Sequence, residues 1–105
     1  MKKLSIIAST LILVACGSAK IISISQADVD RAATKYPGIT SEQLVEGQKL
    51  YAANCAKCHT LFAPGKFGEK RWKHEIEEMS GKDYANIDSK TQESITKYIL
   101  TFAKQ

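Results

Sequence analysis

Apolar residues near the C-terminus recur with the spacing of an α-helix. Four of them stand at positions i, i+3, i+4 and i+7: Ile95, Tyr98, Ile99 and Phe102. At 3.6 residues per turn these side chains share one face, so the segment should pack that face against a core. Asp88 or Ser89 is expected to cap this helix, since both residue types commonly begin helices.

Capping residues predict two further helices upstream. Ser25 is followed three positions later by Asp28, and Thr40 is followed three positions later by Gln43. Such pairs satisfy the first free N–H groups of a helix. We expect a short helix over residues 26–36, stopped by a Pro-Gly pair, and a longer one from 41 to about 56.

A fourth helix is predicted over residues 69–80, between a loop that contains glycine and proline and a following glycine. Trp72, Ile76 and Met79 stand at i, i+4 and i+7 and therefore share one face of this helix. The alternation that marks β-strands is nearly absent, and no internal repeat is visible. The sequence therefore predicts an all-α fold of three or four helices.

The N-terminus has the pattern of an export signal. Two lysines precede residues 4–15, which carry no charge, glycine or proline. As a helix these ~12 residues would rise about 18 Å, well short of the ~30 Å hydrocarbon core, so a signal peptide is favoured over a transmembrane span. The stretch Leu13-Val14-Ala15-Cys16 resembles a bacterial lipobox. That resemblance implies that Cys16 becomes the lipidated first residue of the mature protein.

Three segments are expected in the chain: a lipoprotein signal peptide over 1–15, a tether with a short helix over 16–39, and a compact domain over 40–105. The formal charge of +4 falls to about +2 without the lysines of the signal peptide. Basic and acidic residues are interspersed and no Lys- or Arg-rich block is present, which excludes an electrostatic nucleic-acid site. A domain of about 66 residues usually needs a staple such as a disulfide, a metal or a large cofactor.

The segment Cys55-Ala56-Lys57-Cys58-His59 has the Cys-x-x-Cys-His spacing of c-type haem attachment. Two thiols on one helical turn can form thioethers with the two vinyl groups of a porphyrin, and the adjacent imidazole can bind the iron. A thioredoxin-like pair would need a βαβ context. A zinc site would need a fourth ligand, and the sequence offers no second cysteine pair for it, only His74. A Cys55–Cys58 disulfide leaves His59 unexplained. With Cys16 lipidated, thioether formation uses the other two of the three cysteines.

The second axial ligand of the iron is expected to be Met79, the only methionine left once the initiator methionine is removed. It shares a helix face with Trp72, which would pack on the porphyrin. Two alternatives stay open, His74 as the ligand or an iron with five ligands, and Met79 would then be a gap-filling core residue. The carbonyl of Pro64 either accepts the Nδ1–H of His59 or belongs to an ordinary turn.

The pattern Glu46-Gly47-x-x-Leu50-Tyr51-x-x-Asn54, followed by the Cys-x-x-Cys-His motif, resembles the first helix and attachment site of class I cytochromes c. The stretch from Trp72 to Met79 is similar to that of small single-haem members, in which the methionine is the distal ligand. The resemblance also implies that Gly47 lets two helices cross closely, with Tyr98 and Phe102 as its neighbours.

This resemblance implies a cytochrome c-like domain of 3–4 helices wrapped around one covalent haem c, held by Cys55 and Cys58. With His59 and Met79 on the iron, such a protein carries single electrons between redox protein partners and is not an enzyme. The lipid anchor at Cys16 would hold it on a membrane of the bacterial cell envelope, facing the periplasm, with the outer membrane slightly favoured. A monomer or a subunit of a larger complex is expected, without nucleic acid.

One alternative function stays open at this point. The chain would be a haem-based ligand sensor or a haem enzyme if the sixth position of the iron were open or only reversibly bound by Met79.

Overall fold

The computed structural model describes residues 22–105 as a helical domain. The elements, in chain order, are α1 (Gln26–Ala33), α2 (Ser41–Cys55), a 3-10 helix (Pro64–Lys66), α3 (Glu69–Met79) and α4 (Ser89–Phe102). Between residues 22 and 105 the only β-type pairing is an isolated bridge between Gly68 and Lys104, so the all-α prediction is confirmed. The predicted signal peptide and Cys16 lie outside the described residues. None of the described helices is long and apolar enough to cross a membrane.

Both predicted capping boxes are present. The Ser25 hydroxyl accepts the backbone N–H of Asp28, whose carboxylate accepts the N–H of Ser25 at 2.8 Å. Thr40 and Gln43 form the same reciprocal pair at the start of α2, with distances of 2.9 and 3.2 Å. Each pair satisfies free N–H groups of the first helical turn, which explains why α1 and α2 begin where the sequence predicts.

The other helix ends differ little from the prediction. Asp88, rather than Ser89, caps α4, since its carboxylate accepts the N–H of Thr91 at 2.7 Å. The first helix ends three residues early, at Ala33, and the chain leaves it through a turn. Gly38 in that turn has a φ of +82°, a left-handed conformation that glycine adopts without strain.

The crossing of α2 and α4 is the most extensive helix pair of the domain. A Cβ placed on Gly47 would lie 2.4 Å from the Ser94 carbonyl oxygen and 2.7 Å from Tyr98 Cβ. Only a residue without a side chain permits this approach, so the predicted role of Gly47 and its contact with Tyr98 are confirmed. Its second neighbour is Ser94, one turn before Tyr98, and not Phe102.

Two apolar clusters form the core. The larger one lies among α2, α3 and α4 and consists of Tyr51, Trp72, Ile76, Ile95, Tyr98, Ile99, Leu100 and Ala103. The smaller one joins α1 to the start of α2 through Ala32, Ile39 and Leu44. Two polar contacts attach the N-terminal part: Arg31 Nε donates to Thr101 O at 2.9 Å, and Gln48 Nε2 donates to Ile22 O at 2.9 Å.

Candidate functional site

A cavity opens beside the larger core cluster, between the end of α2, the face of α3 and the start of α4. With its open mouth included, it has a volume of about 810 Å³. All five residues that the sequence singles out for a cofactor line it: Cys55, Cys58, His59, Trp72 and Met79. Cys55 and Met79, which are 24 positions apart in the chain, therefore line one space, and apolar side chains form its back wall.

The two thiols stand where α2 ends. Cys55 is the last residue of the helix and is half-buried, whereas Cys58 lies in the following turn and is exposed. Both side chains are free thiols. Burial, and secondarily the neighbouring Cys58, raises the pKa of the Cys55 thiol, so this group is protonated at neutral pH.

The imidazole of His59 is positioned by its own neighbour. Its Nδ1 lies 2.8 Å from Thr60 O, and its ring packs against Phe62 at a centroid distance of 5.1 Å. With the proton on Nδ1, this nitrogen donates to the Thr60 carbonyl and the lone pair of Nε2 is free to bind a metal. The acceptor that the structure provides is therefore Thr60 O and not Pro64 O, the alternative left open by the sequence.

The carbonyl of Pro64 serves α3 instead. It accepts the indole N–H of Trp72 in a buried hydrogen bond of 2.6 Å. Of the two roles considered for Pro64 O, contact with His59 is not the one found, because His59 Nδ1 lies 2.8 Å from Thr60 O instead.

A second buried side chain holds the same loop from the other side. Tyr51 Oη donates to Phe62 O at 2.6 Å, and burial raises the pKa of Tyr51 to about 12. Tyr51 on α2 and Trp72 on α3 thus each bind one backbone carbonyl of the loop between His59 and Gly68. Loops fixed by buried hydrogen bonds hold their side chains more precisely than loops that are free in solvent.

Met79 and His74 occupy different environments, although both lie on α3. Met79 is half-buried and lines the cavity at the C-terminal end of the helix. The side chain of His74 is 74% exposed, and its Nε2 lies 3.5 Å from a carboxylate oxygen of Glu78, outside the cavity. Of the two candidate distal ligands, the structure therefore brings only Met79 to the thiols and His59.

Two charged residues of the cavity wall were not predicted. Arg71 and Glu75 line the cavity together with Met79. The three stand at i, i+4 and i+8 and form one stripe along α3, beside the buried stripe of Trp72 and Ile76. This spacing is visible in the sequence, but apolar positions alone predict an inward face of α3 that leaves out its charged residues.

The chemistry of these side chains suits a c-type haem. Two thiols, one imidazole nitrogen and one thioether sulfur surround a space with largely apolar walls, which is the set that thioether attachment and axial ligation of a haem iron require. Within residues 22–105 no group of three or more His, Cys, Asp or Glu side chains could hold a bare metal ion.

Part of the chain is similar to a known protein. A stretch of 40 residues, 38% of the chain, is 48% identical to photosystem II extrinsic protein V of Microcystis aeruginosa, and it spans 27% of that protein. The match thus covers about a quarter of that relative's length. No solved structure matches the chain.

The family comparison covers more of the chain. The model of the family described as "Dihaem cytochrome c" matches residues 51–105, which include the Cys-x-x-Cys-His motif, the loop, α3 and α4. Membership of this family implies covalently bound haem c with iron, and electron transfer by that haem. The matched segment is more than half of the sequence and contains every cavity residue named above, so the chain belongs to the dihaem cytochrome c family.

Proposed function

We propose that this chain carries single electrons and holds one haem c, although the family is described as dihaem. The sequence contains one Cys-x-x-Cys-His motif, and its third cysteine, Cys16, lies far outside the matched segment. The observation that carries the proposal is the cavity itself. It collects Cys55, Cys58, His59 and Met79 in one space with apolar walls.

The residues of the cavity take distinct parts in holding the cofactor. Cys55 and Cys58 would form its two thioether bonds, and His59 Nε2 and Met79 Sδ would be the protein ligands of the iron. Haem c supplies a reversible one-electron change at this iron. Trp72, with the other buried side chains of the back wall, excludes water, and an apolar surrounding with a thioether ligand favours the reduced state.

We further propose that the chain is anchored to a membrane of the cell envelope through a lipid on Cys16. The support is the lipobox-like stretch ending at this cysteine and the apolar residues before it. Diacylation or triacylation anchors a protein stably, because each buried methylene contributes about 0.8 kcal/mol. The redox partners would then be proteins of the same membrane or of the periplasm next to it, and the chain itself catalyses no reaction.

The number of haems and the axial ligand can be tested together. The full chain would be expressed in a bacterium with the cytochrome c maturation machinery, and the mass of the product would be measured by mass spectrometry. The mass is expected to increase by one haem, and the oxidised protein should show the weak far-red band of an iron–thioether bond. Met79→Leu should lose this band, whereas the matched control His74→Ala, on the same helix, should retain it.

Other outcomes would contradict the proposal. A folded product without covalent haem would overturn it. A wild type that lacks the far-red band and shows the spectrum of two imidazole ligands, with that spectrum lost in His74→Ala, would reassign the ligand to His74. Rapid binding of carbon monoxide to the reduced wild-type protein would indicate an open sixth position, and would favour a ligand sensor or a haem enzyme over an electron carrier.

A further inference from the structure

Arg71 is the only lysine or arginine among the cavity-lining residues that the structure describes. It begins the stripe of α3 that continues with Glu75 and ends with Met79, the proposed axial ligand. At a rise of 1.5 Å per residue, the stripe extends about 12 Å along the cavity. A permanent positive charge therefore lies on the same wall as the proposed iron ligand, two helical turns away from it.

The guanidinium group of Arg71 is held in place but keeps its donors free. Its Cζ lies 4.1 Å from the centroid of the Phe67 ring, so the flat group packs on an aromatic face. Its Nε is 3.8 Å from the nearest Glu75 carboxylate oxygen, which is longer than a hydrogen bond. Packing through the face leaves the in-plane N–H donors available for a planar, two-oxygen acceptor.

The other arginine of the chain is a useful contrast. Arg31 also lies over an aromatic ring, that of Phe102, but its Nε donates to Thr101 O at 2.9 Å and its Nη2 to Asp28 at 2.7 Å. Its donors are thus used within the protein, in attaching α1 to α4. The side chain of Arg71 is 62% exposed at the rim of the cavity. Unlike those of Arg31, its donors make no hydrogen bond of this kind within the described residues.

The proposed cofactor brings the matching acceptor. A haem is an apolar disc with two propionate carboxylates on one edge, and a carboxylate next to apolar walls is costly unless a cation or donors meet it. We propose that Arg71 binds a propionate carboxylate of the haem through paired N–H donors, with Glu75 as the competing carboxylate. The inference rests on the proposed function, since it requires a haem in this cavity.

The pairing of Arg71 with a propionate should raise the midpoint potential of the iron. A cation that offsets the propionate charge makes the extra positive charge of the oxidised iron less favourable. Loss of Arg71 should therefore stabilise the oxidised state and lower the midpoint potential. Loss of Glu75 should act in the opposite direction, because it removes a negative charge from the same wall and frees the guanidinium.

The test compares the haem-loaded proteins Arg71→Gln and Arg71→Lys with the wild type. The matched control is Lys73→Gln, which loses the same charge from α3 at a residue that points away from the cavity and pairs with Glu69. For Arg71→Gln we expect the equilibrium to shift about three- to tenfold toward the oxidised form, where tenfold equals 59 mV for one electron. Arg71→Lys should retain part of the effect, because lysine keeps the charge without the paired donors.

Resonance Raman spectra provide a second readout that a merely structural role would not change. The propionate bending bands should shift in Arg71→Gln, and not in Lys73→Gln. Equal potentials and equal propionate bands in these two variants would overturn the inference. Glu75→Gln extends the test if Arg71→Gln does not mature, and an unchanged or lower potential in Glu75→Gln would likewise contradict it.

Failure of the proposed function would look different. A wild-type product without covalent haem, detected by mass before any potential is measured, would contradict the electron-carrier proposal itself. A wild type that does carry haem, with the same midpoint potential as Arg71→Gln, would contradict only the inference about Arg71.

Discussion

Gly47 on α2 lies against the backbone of Ser94 on α4 so closely that a methyl group at residue 47 would be 2.4 Å from the Ser94 carbonyl oxygen. This contact fixes the distance between the two helices at their crossing. Cys55 lies eight residues, about two helical turns, further along α2. The position of the first thiol over the wall formed by α4 therefore depends on this crossing.

Gly47→Ala is expected to destabilise the domain. The nearest atoms belong to the backbone and Cβ of α4 and not to a flexible side chain, so the helices themselves must separate. Overpacking of this kind costs about 1–3 kcal/mol, and the better helix propensity of alanine returns up to about 1 kcal/mol of that. Denaturant unfolding of the haem-loaded protein, followed by far-UV circular dichroism, measures the difference.

The matched control for this variant is Gly65→Ala. A Cβ there would be 3.6 Å from its nearest neighbour, the Phe102 carbonyl oxygen, which is an ordinary contact. The free energy of unfolding should change little in this control. If Gly47→Ala and Gly65→Ala lowered the free energy of unfolding equally, the close approach of α2 and α4 at Gly47 would not be the cause of the loss.

Trp72→Phe should weaken the attachment of the loop that follows His59. The substitution removes the donor to Pro64 O and leaves a buried carbonyl without a partner, at a cost of about 1–3 kcal/mol. Relative to the wild type, we expect Trp72→Phe to increase the rate of amide hydrogen exchange in residues 60–68 more than in α4. The exposed Tyr84→Phe is the control, and a uniform change over the whole domain would argue against a local role.

Tyr51 should make the protein sensitive to alkali. Burial raises the pKa of Tyr51 to about 12 in the folded state, against about 10 when the chain is unfolded. The protonated tyrosine stabilises the fold fully below pH 10, and this contribution is lost as the pH rises from 10 to 12. The loss should reach at most about 2–3 kcal/mol, since one pKa unit corresponds to about 1.4 kcal/mol.

Tyr51→Phe tests this pH dependence. The variant should be less stable than the wild type at pH 7, because the hydrogen bond to Phe62 O is absent. The difference should narrow between pH 10 and 12, as measured by the midpoint of urea unfolding at each pH. A difference that stays constant over this range would show that Tyr51 does not account for the alkaline loss.

Glu69 is expected to support stability at neutral pH and to lose that role in acid. Hydrogen bonds from Lys35 and then Lys73 lower the pKa of Glu69 to about 2. Because the pKa is lower in the folded than in the unfolded chain, the stabilisation is present above about pH 4.5 and disappears as the pH falls to about 2. Glu69→Gln should therefore lower the melting temperature slightly at pH 7 and not at pH 2.

The control for this prediction is Glu77→Gln on the exposed face of the same helix. It removes one carboxylate without touching the Lys35–Glu69–Lys73 group, which connects the end of α1 to α3. High salt should reduce the effect of Glu69→Gln, since all three side chains are accessible to solvent. An effect as large at pH 2 as at pH 7 would refute the ionic explanation.

Local signals in the sequence predicted much of this fold. Capping pairs such as Thr40 with Gln43 act within one helical turn, so they can be read without knowing the rest of the molecule. The same holds for the apolar face of α4, of which Ile95 and Ile99 are fully buried. The attachment motif is likewise local, because its three chemical groups lie within five residues.

The contacts between distant segments do not follow from such local signals, and the Gly47–Tyr98 contact is predicted only from the resemblance to class I cytochromes c. Which residue meets Gly47 depends on the register of α2 against α4, and that register is set by packing over the whole interface. The acceptor role of Pro64 O depends on where Trp72 enters the core. Arg71 and Glu75 line the cavity because they share a stripe of α3 with Met79, at the edge of the buried face. A search for apolar positions alone does not identify this stripe.

Trp72 is the single tryptophan of the sequence, and it lines the cavity. The fluorescence of Trp72 therefore reports on the cavity alone. A haem bound in the cavity would quench the indole emission by energy transfer, and release of the chain from around the haem would restore it. The intensity of one emission band would thus follow both the maturation of the protein and its unfolding, without any attached label.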